Sequence, residues 1–390
     1  MASYISSSAN RLYTAAENLL GQIPSITAQN RFPAVRLAAR QQLESVQRRD
    51  KTGTRTFAGV PFGVRRRTTF DLTTYLTSWT DSSAEPCYGA LFRASLGGNP
   101  RVFPGGIAAG ASSALAVSFV SPHSLQEGQA VTYAGELRFV ASVIDSTRIQ
   151  LNAPFSTPVS GGSSIGPTIT YVPATDLQSA SIFDYWSPSS AVQRILCGAA
   201  VNRMLIRING DFHEFEFSGI AQDLVDSSSF VAGLGQLTEF PEEPSLGAFD
   251  HSLIPGHMGQ AWLGSGPDRF FTITSGTFAL ENNLDVRARE FGSNLIRSIV
   301  PGQRSVSVDF DLYGQDDTAT KALYQAARQQ SPMPVMFQLG QQSGQLFGIY
   351  LKSVVPEVPD YDDSDARLQW RFRNSRAQGT VDDEIAVAFG

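Results

Sequence analysis

From Phe57 onward the chain alternates apolar and polar residues with a period of two, punctuated by Gly, Pro and Asn. This is the pattern of strands that show one face to a core and the other to solvent. Residues 203–219, RMLIRINGDFHEFEFSG, predict a hairpin: Met204, Ile206 and Ile208 alternate up to Asn209-Gly210, and apolar residues resume near Phe212. The Asn-Gly pair would supply the positive φ angles of a two-residue turn. Further strands are predicted over 344–355, 366–374 and 384–389. Helical signals are few, and the better ones cover 88–96 and 317–330, each preceded by capping-type residues and followed by Gly or Pro. The segment ANRLYTAAENLLG near the start admits either a third helix or an extended stretch docked on a partner.

One strand is written twice. RRRTTFDLTTYLTSW starts at Arg65 and QRSVSVDFDLYGQDD at Gln303, and a shift of 238 residues takes Arg66 to Arg304, Asp71 to Asp309 and Tyr75 to Tyr313. A little further on, ALFRA (90–94) meets ALYQA (322–326). Upstream, 35–60 and 278–300 each read as an outgoing strand, a charged crest and a returning strand. Strand, crest, strand, helix therefore occurs twice, which is the signature of a duplicated domain. In the second copy Val306, Val308 and Phe310 should be buried, with Asp309 and Asp311 pointing away.

Two regions fall outside the repeat. Residues 104–173 hold a compact strand set (129–155) between Gly/Pro-rich segments, and predict a small β module inserted in the first domain. Such a module should be removable where few contacts cross its boundary. Residues 230–266 read as a Gly/Pro-rich surface connector. The resulting division is a first domain of 1–103 with 174–229, the insert, the connector, and a second domain of 267–390.

Composition narrows the function classes. Of 390 residues, 42% are apolar but only 17% are charged, below the ~25% usual for globular chains, so much of the surface must be uncharged or covered by partners. A net charge of −6 argues against a basic face for phosphate backbones. No apolar span of ~20 residues is present and the first residues lack the pattern of a secretory signal, so a cytoplasmic setting and no membrane partner are expected. Cys87 and Cys197 are too few and too isolated for a disulfide framework or a zinc site.

Candidate chemistry is weak throughout. Ser164 sits in a G-x-S-x-G pattern, but Pro167 and a strand-like run follow where a nucleophile elbow needs a helix. His251 and His257 are separated by Pro255-Gly256, which breaks any helix that could aim both rings at one metal. YDDSDAR (361–367) lacks the Gly and distal Glu of a calcium loop. Arg65, Arg66 and Arg67 read as a strand start whose charges pair with a neighbour rather than with nucleic acid. No catalytic residue, cofactor or metal is expected.

The order strand, long charged hairpin, strand, short helix resembles the tail tube proteins of long-tailed bacteriophages, in the variety with a duplicated tube domain. The resemblance is carried by YTAAENLLGQIPS (13–25), YGALFRASLGG (88–98) and EFGSNLIRSIVPGQRSVSVDFDLYGQDD (290–317). It covers most of the chain outside 104–173. It implies a mainly β chain of two tandem tail-tube-type β-sandwich or barrel domains, each with a short helix and a long hairpin, plus the inserted module. It also implies a virion subunit, assembled in the host cytoplasm, that stacks in rings around a lumen. Three duplicated chains would make the ring that single-domain relatives build from six.

The expected partners are copies of the chain, a tape-measure protein, tail terminator and tail-tip proteins, and DNA in transient, non-specific passage. An acidic wall suits such a conduit, since it avoids binding by counterion release. The crests would contact the adjacent ring or subunit through Arg40, Gln41, Glu44, Arg48, Arg49, Asp50 and Arg55 on the first, and Asp285, Arg287, Arg289 and Glu290 on the second. The repeated strands would put Arg66, Asp71, Tyr75, Arg304, Asp309 and Tyr313 in the inner sheet. A tail-tip or adaptor ring of the same fold is the alternative. A carbohydrate-binding or hydrolytic β-sandwich is a third reading, which needs an aromatic platform or acid pair that the sequence does not reveal.

Overall fold

The computed structural model describes residues 4–45, 51, 53–57, 59, 63–247, 251–264, 269–270 and 272–390. It is mainly β, with two α-helices among these residues. The first half runs through β1 (Asn10–Ala16), β2 (Ala34–Glu44), β3 (Arg65–Tyr75), α1 (Gly89–Leu96), β4 (Arg101–Phe103), β5 (Thr168–Tyr171), β6 (Ala180–Trp186), β7 (Arg194–Ile208), β8 (Glu214–Ala221) and β9 (Asp223–Asp226). The second runs through β10 (Gly259–Leu263), β11 (Ile273–Glu281), β12 (Ser305–Tyr313), α2 (Thr318–Gln329), β13 (Met333–Leu339), β14 (Phe347–Val355), β15 (Asp360–Asp362), β16 (Gln369–Ala377) and β17 (Ala386–Phe389).

Alternation sets the faces of the repeated strands. In β3, Thr68, Phe70, Leu72 and Thr74 are buried, and in β12 Val306, Val308, Phe310 and Leu312 are buried while Asp309 and Asp311 lie on the other face. Both predicted helices form. Asp317 caps α2 by accepting from the Thr320 N–H at 2.6 Å, and Gln330 ends it in the left-handed conformation. Gly97 ends α1 at φ 84°, where a Cβ would stand 2.3 Å from the Asp176 carbonyl oxygen, so only glycine fits.

The same ladder of pairings is built twice. In the first half β1 pairs β6, β6 pairs β7, β7 pairs β9 and β8, β8 pairs β3, and β3 pairs β2. In the second, β10 pairs β13, β13 pairs β14, β14 pairs β17 and β16, β16 pairs β12, and β12 pairs β11. The register agrees at Thr74, opposite Phe215, and at Leu312, which is Thr74 shifted by 238, opposite Trp370, while between Val308 and Phe310 the second ladder has a bulge that the first lacks. The far end of β7 also differs, since its counterpart is the separate short strand β15, which pairs β16 beyond Pro356 and Pro359.

The two halves join edge to edge through β7 and β11, with Ile206 opposite Phe278 and Arg203 opposite Glu281. One large core runs between the layers of both halves and includes α1, whose Phe92 touches Phe215, Phe347 and Phe389.

The two regions outside the repeat serve one physical need. Strands β6 and β13 are buried along nearly their whole length, so their outer faces are as apolar as their inner ones and require a third layer. The 230–247 segment covers Tyr13, Phe183, Tyr185, Ile195 and Val225 of the first half with Phe230, Leu234, Leu237 and Phe240. Glu243 fastens it, accepting from Arg11 Nε at 2.5 Å and from the Tyr13 hydroxyl at 2.9 Å. The insert covers Trp262, Met336, Tyr350, Ala386 and Ala388 of the second half with Ala130, Leu137, Phe139 and Ala153.

Several expectations are corrected. The segment near the start is neither a helix nor docked on a partner: it is β1, paired along its length with β6 of the same chain, because Leu12 to Ala15 are all buried. The hairpin at Asn209-Gly210 has a longer loop, since pairing stops at Arg207–Glu214 and neither residue has a positive φ; the Asn209 side chain instead accepts from the Asp211 N–H. The insert ends before Thr168, because β5 lies in the main sheet between β4 and β17. The connector contains a paired strand, β10.

The insert is also not a lightly attached module. It holds a four-stranded sheet and a core of its own, but many contacts cross its boundary. Arg138, fully buried, stands 3.1 Å from Glu136, donates to Gln338 at 2.7 Å and stacks 4.1 Å from the Trp262 ring.

Candidate assembly surfaces

The strand edges and the charged residues near them are the features that could engage a partner. Strand β2 pairs β3 on one side, and its other edge carries no strand among the described residues. That edge bears Val35, Arg36, Arg40 and Leu43, all exposed. Among the described residues strand β15 pairs only β16, which leaves a second open edge with Asp360 and Tyr361 exposed. Open edges of this kind are ready templates for another strand.

Beside β15 lies a cluster that reading the sequence did not find. Tyr324 of α2, Tyr361 of β15 and Trp370 of β16 have ring centroids 5.5 to 6.4 Å apart, and Tyr361 is 56% exposed. Tyr361 and Trp370 face each other on neighbouring strands, while Tyr324 comes from the helix well before them in sequence. The shift that matches ALFRA to ALYQA puts Phe92 in the place of Tyr324, whereas the counterparts of Tyr361 and Trp370, Ile206 and Phe215, follow only from the strand pairings.

The repeated arginines have a common role. Arg66 Nη1 reaches Asp223 Oδ2 at 3.0 Å, and Arg304 Nη1 reaches Glu384 Oε1 at 2.8 Å and Asp382 at 3.1 Å. Asp223 and Glu384 occupy matching places beside β9 and β17. The arginine thus ties β3 or β12 to the last strand of its own half, and Arg66 is paired within the chain rather than with a neighbour. Among the other repeated positions, Asp71 is exposed, Tyr75 packs 5.8 Å from Phe212, the Asp309 carboxylate accepts from the Asn374 N–H, and Tyr313 lies under Arg367.

Of the residues assigned to the first crest, Arg40, Gln41 and Glu44 lie in β2 itself, and Arg48, Arg49 and Asp50 fall outside the described residues. Gln41 is not available to a partner, since it donates to Asp223 at 2.8 Å and to Thr68. Arg55 is exposed. On the second crest Asp285 and Arg287 sit in the strand Asp285–Arg287, paired with Ser298–Val300. Arg289 is exposed, and Glu290 stands 3.9 Å from Arg287 and 4.0 Å from Arg297. Phe291 is fully exposed there.

Asn282, at the base of the second crest, is buried and donates to the Ser95 and Val201 carbonyls. The returning limb of this crest rests on the first half: the Arg66 N–H donates to the Asn294 carbonyl, and Gln222 to that of Ile296.

The positions weighed for chemistry are occupied structurally. Ser164 is exposed in a two-residue strand. His123 accepts from the Leu125 N–H, and its other ring nitrogen lies 3.0 Å from the Asp145 carbonyl. His213 is buried, and burial pushes its imidazole down to about 4 against a smaller opposing effect of the Pro255 backbone. Burial pushes the Cys87 and Cys197 thiols up to about 12. Asp362 pairs with Arg371 and caps its own turn through Ser364. Among the described residues no group of three or more His, Cys, Asp and Glu side chains is placed to hold a metal ion.

No protein-family model matches the chain, and no curated protein sequence aligns with it significantly.

Proposed function

We propose that this chain is the structural subunit of a phage tail tube: two tandem tube-type domains that close with further copies into rings, which stack around a lumen. The observation that supports the reading is the junction between the halves. A ladder built twice is joined by β7 against β11, and the strands that correspond to these two, β15 and β2, are left open at the two ends of the same sheet. A chain with one such junction inside and one unpaired half-junction at each end is suited to head-to-tail assembly, and a head-to-tail contact whose rotation closes yields a ring. Closure removes both edges at once.

In this reading the role is mechanical. The lumen houses a tape-measure protein and passes DNA during ejection, and terminator and tail-tip proteins meet the end rings. The face of the inner sheet opposite the core carries Arg203, Arg207, Glu216, Glu281, Asp309, Asp311 and Arg373, and several of these pair across strands: Arg203 with Glu281 at 3.3 Å, Arg207 with Glu216 and Arg373 with Asp311 at 2.5 Å each. A wall of self-neutralised charge offers a polyanion little net attraction.

Negative-stain microscopy of the purified protein tests the proposal. Tubes, or rings of three chains with pseudo-sixfold symmetry, are expected. Single rings that never stack would favour a tail-tip or adaptor ring, and a monomer at all concentrations would overturn the assignment.

A further inference from the structure

We infer that a second copy of this chain adds its β2 to β15 in antiparallel register with Ala39 opposite Tyr361 and Arg40 opposite Asp360, and in doing so buries the Tyr324, Tyr361 and Trp370 rings. The inference rests on the reading of the chain as a self-assembling subunit and specifies the contact. The register comes from the internal junction. There Leu205 stands opposite Ala279 and Ile206 opposite Phe278.

Each of these residues has a counterpart fixed by the shared strand pairings. Phe278 pairs Val308 as Ala39 pairs Phe70, so Ala39 and Arg40 take the places of Phe278 and Ala279. Ile206 pairs Phe215 as Tyr361 pairs Trp370, so Asp360 and Tyr361 take the places of Leu205 and Ile206. An apolar pair in the internal junction thus becomes an arginine facing a carboxylate. Directly opposed side chains in an antiparallel pair lie about 5 Å apart, within reach of an ion pair.

The aromatic cluster supports the same occupant. Its first-half counterparts, Phe92, Ile206 and Phe215, are fully buried. They are so because β11 covers Ile206, while Phe347 sits 5.2 Å from Phe215 and Phe389 sits 5.7 Å from Phe92, all of them from the second half. In the second half nothing plays this part, and Tyr361 is left 56% exposed. The place of Phe347 falls at Val192 in the first half of the incoming copy, itself 50% exposed. Tyrosine and tryptophan in place of phenylalanine and isoleucine fit a face that meets water before assembly and a protein after it.

Charge reversal tests the contact. Arg40→Asp and Asp360→Arg should each keep the thermal midpoint of the wild-type monomer and lose assembly in sedimentation velocity, and the double variant should recover it. Tyr361→Asp should also stay monomeric. If the wild type assembles and both single charge variants assemble equally well, or if the double variant stays monomeric, the pairing is wrong while the proposed function survives. A wild type that never self-associates overturns both. Saturable binding of a neutral oligosaccharide such as cellohexaose to the isolated chain, abolished by Tyr361→Asp, would assign the rings to sugar and overturn the inference.

Discussion

At the scale of single residues, burial decides which of the charged groups matter to stability. Arg138 is the clearest, since burial pulls its guanidinium down to about 10 although Glu136 favours the charge. Arg138→Ala would take from buried Glu136 its only cationic partner among the described residues, leaving it the two hydrogen bonds from Ser156, and a loss of about 3 kcal/mol is expected in urea unfolding. His213 gives a pH dependence of known sign. Its folded value of about 4 lies below the ordinary 6.5, so the unfolded chain takes up the proton first and stability is lost as pH falls from about 6.5 towards 4. Calorimetry of His213→Phe against wild type should show the variant spared this loss, with equal slopes above pH 7. Glu243 works in the same direction lower down. Burial raises its pKa, but the hydrogen bonds from Arg11 and Tyr13 outweigh that and hold it below its ordinary 4.5.

At the scale of elements, the insert and the connector are the third layer over two sheets that are apolar on both faces. Replacing 104–167 by a short linker would uncover Trp262, Met336 and Tyr350 together, so the shortened protein is expected to aggregate on expression. A soluble, cooperatively melting product would show that the layer is dispensable. Helix α2 depends on its cap, and Asp317→Ala should cost about 1 kcal/mol in thermal unfolding. The second crest offers an exposed anchor in Phe291. Phe291→Asp should leave ring closure intact and shorten or abolish tubes in micrographs, because it lies on neither open edge.

At the scale of the whole molecule, one chain holds one complete junction and two halves of another. The proposed assembly would repeat what the chain has already done internally, with Arg40 and Asp360 where Ala279 and Leu205 sit inside. High salt should weaken the contact between copies, since Arg40 and Asp360 would form an exposed ion pair at its centre. Sedimentation at rising ionic strength checks this.

How much of this was legible beforehand follows from the range of the interactions involved. Period-two alternation placed β3, β12 and the buried face of β12, because which face a residue takes depends only on its neighbours along the strand. The Asp317 cap placed α2 for the same local reason, whereas α1 starts at Tyr88 without a side-chain cap and only its Gly97 stop was read correctly. The shift of 238 residues located the duplicated strand, and the matching ion pairs of Arg66 and Arg304 supply a physical reason for the repeated arginine. What only the tertiary structure decided are the contacts between segments far apart in sequence. Strand β1 is extended because β6 lies beside it, Gln41 turns inward because Asp223 is there, and the insert is bound to the second half because β13 and β14 present an apolar outer face to it. The aromatic cluster was hidden for the same reason: Tyr324, Tyr361 and Trp370 come from three elements, and only the folded sheet brings their rings within about 6 Å, inside the range of aromatic contact.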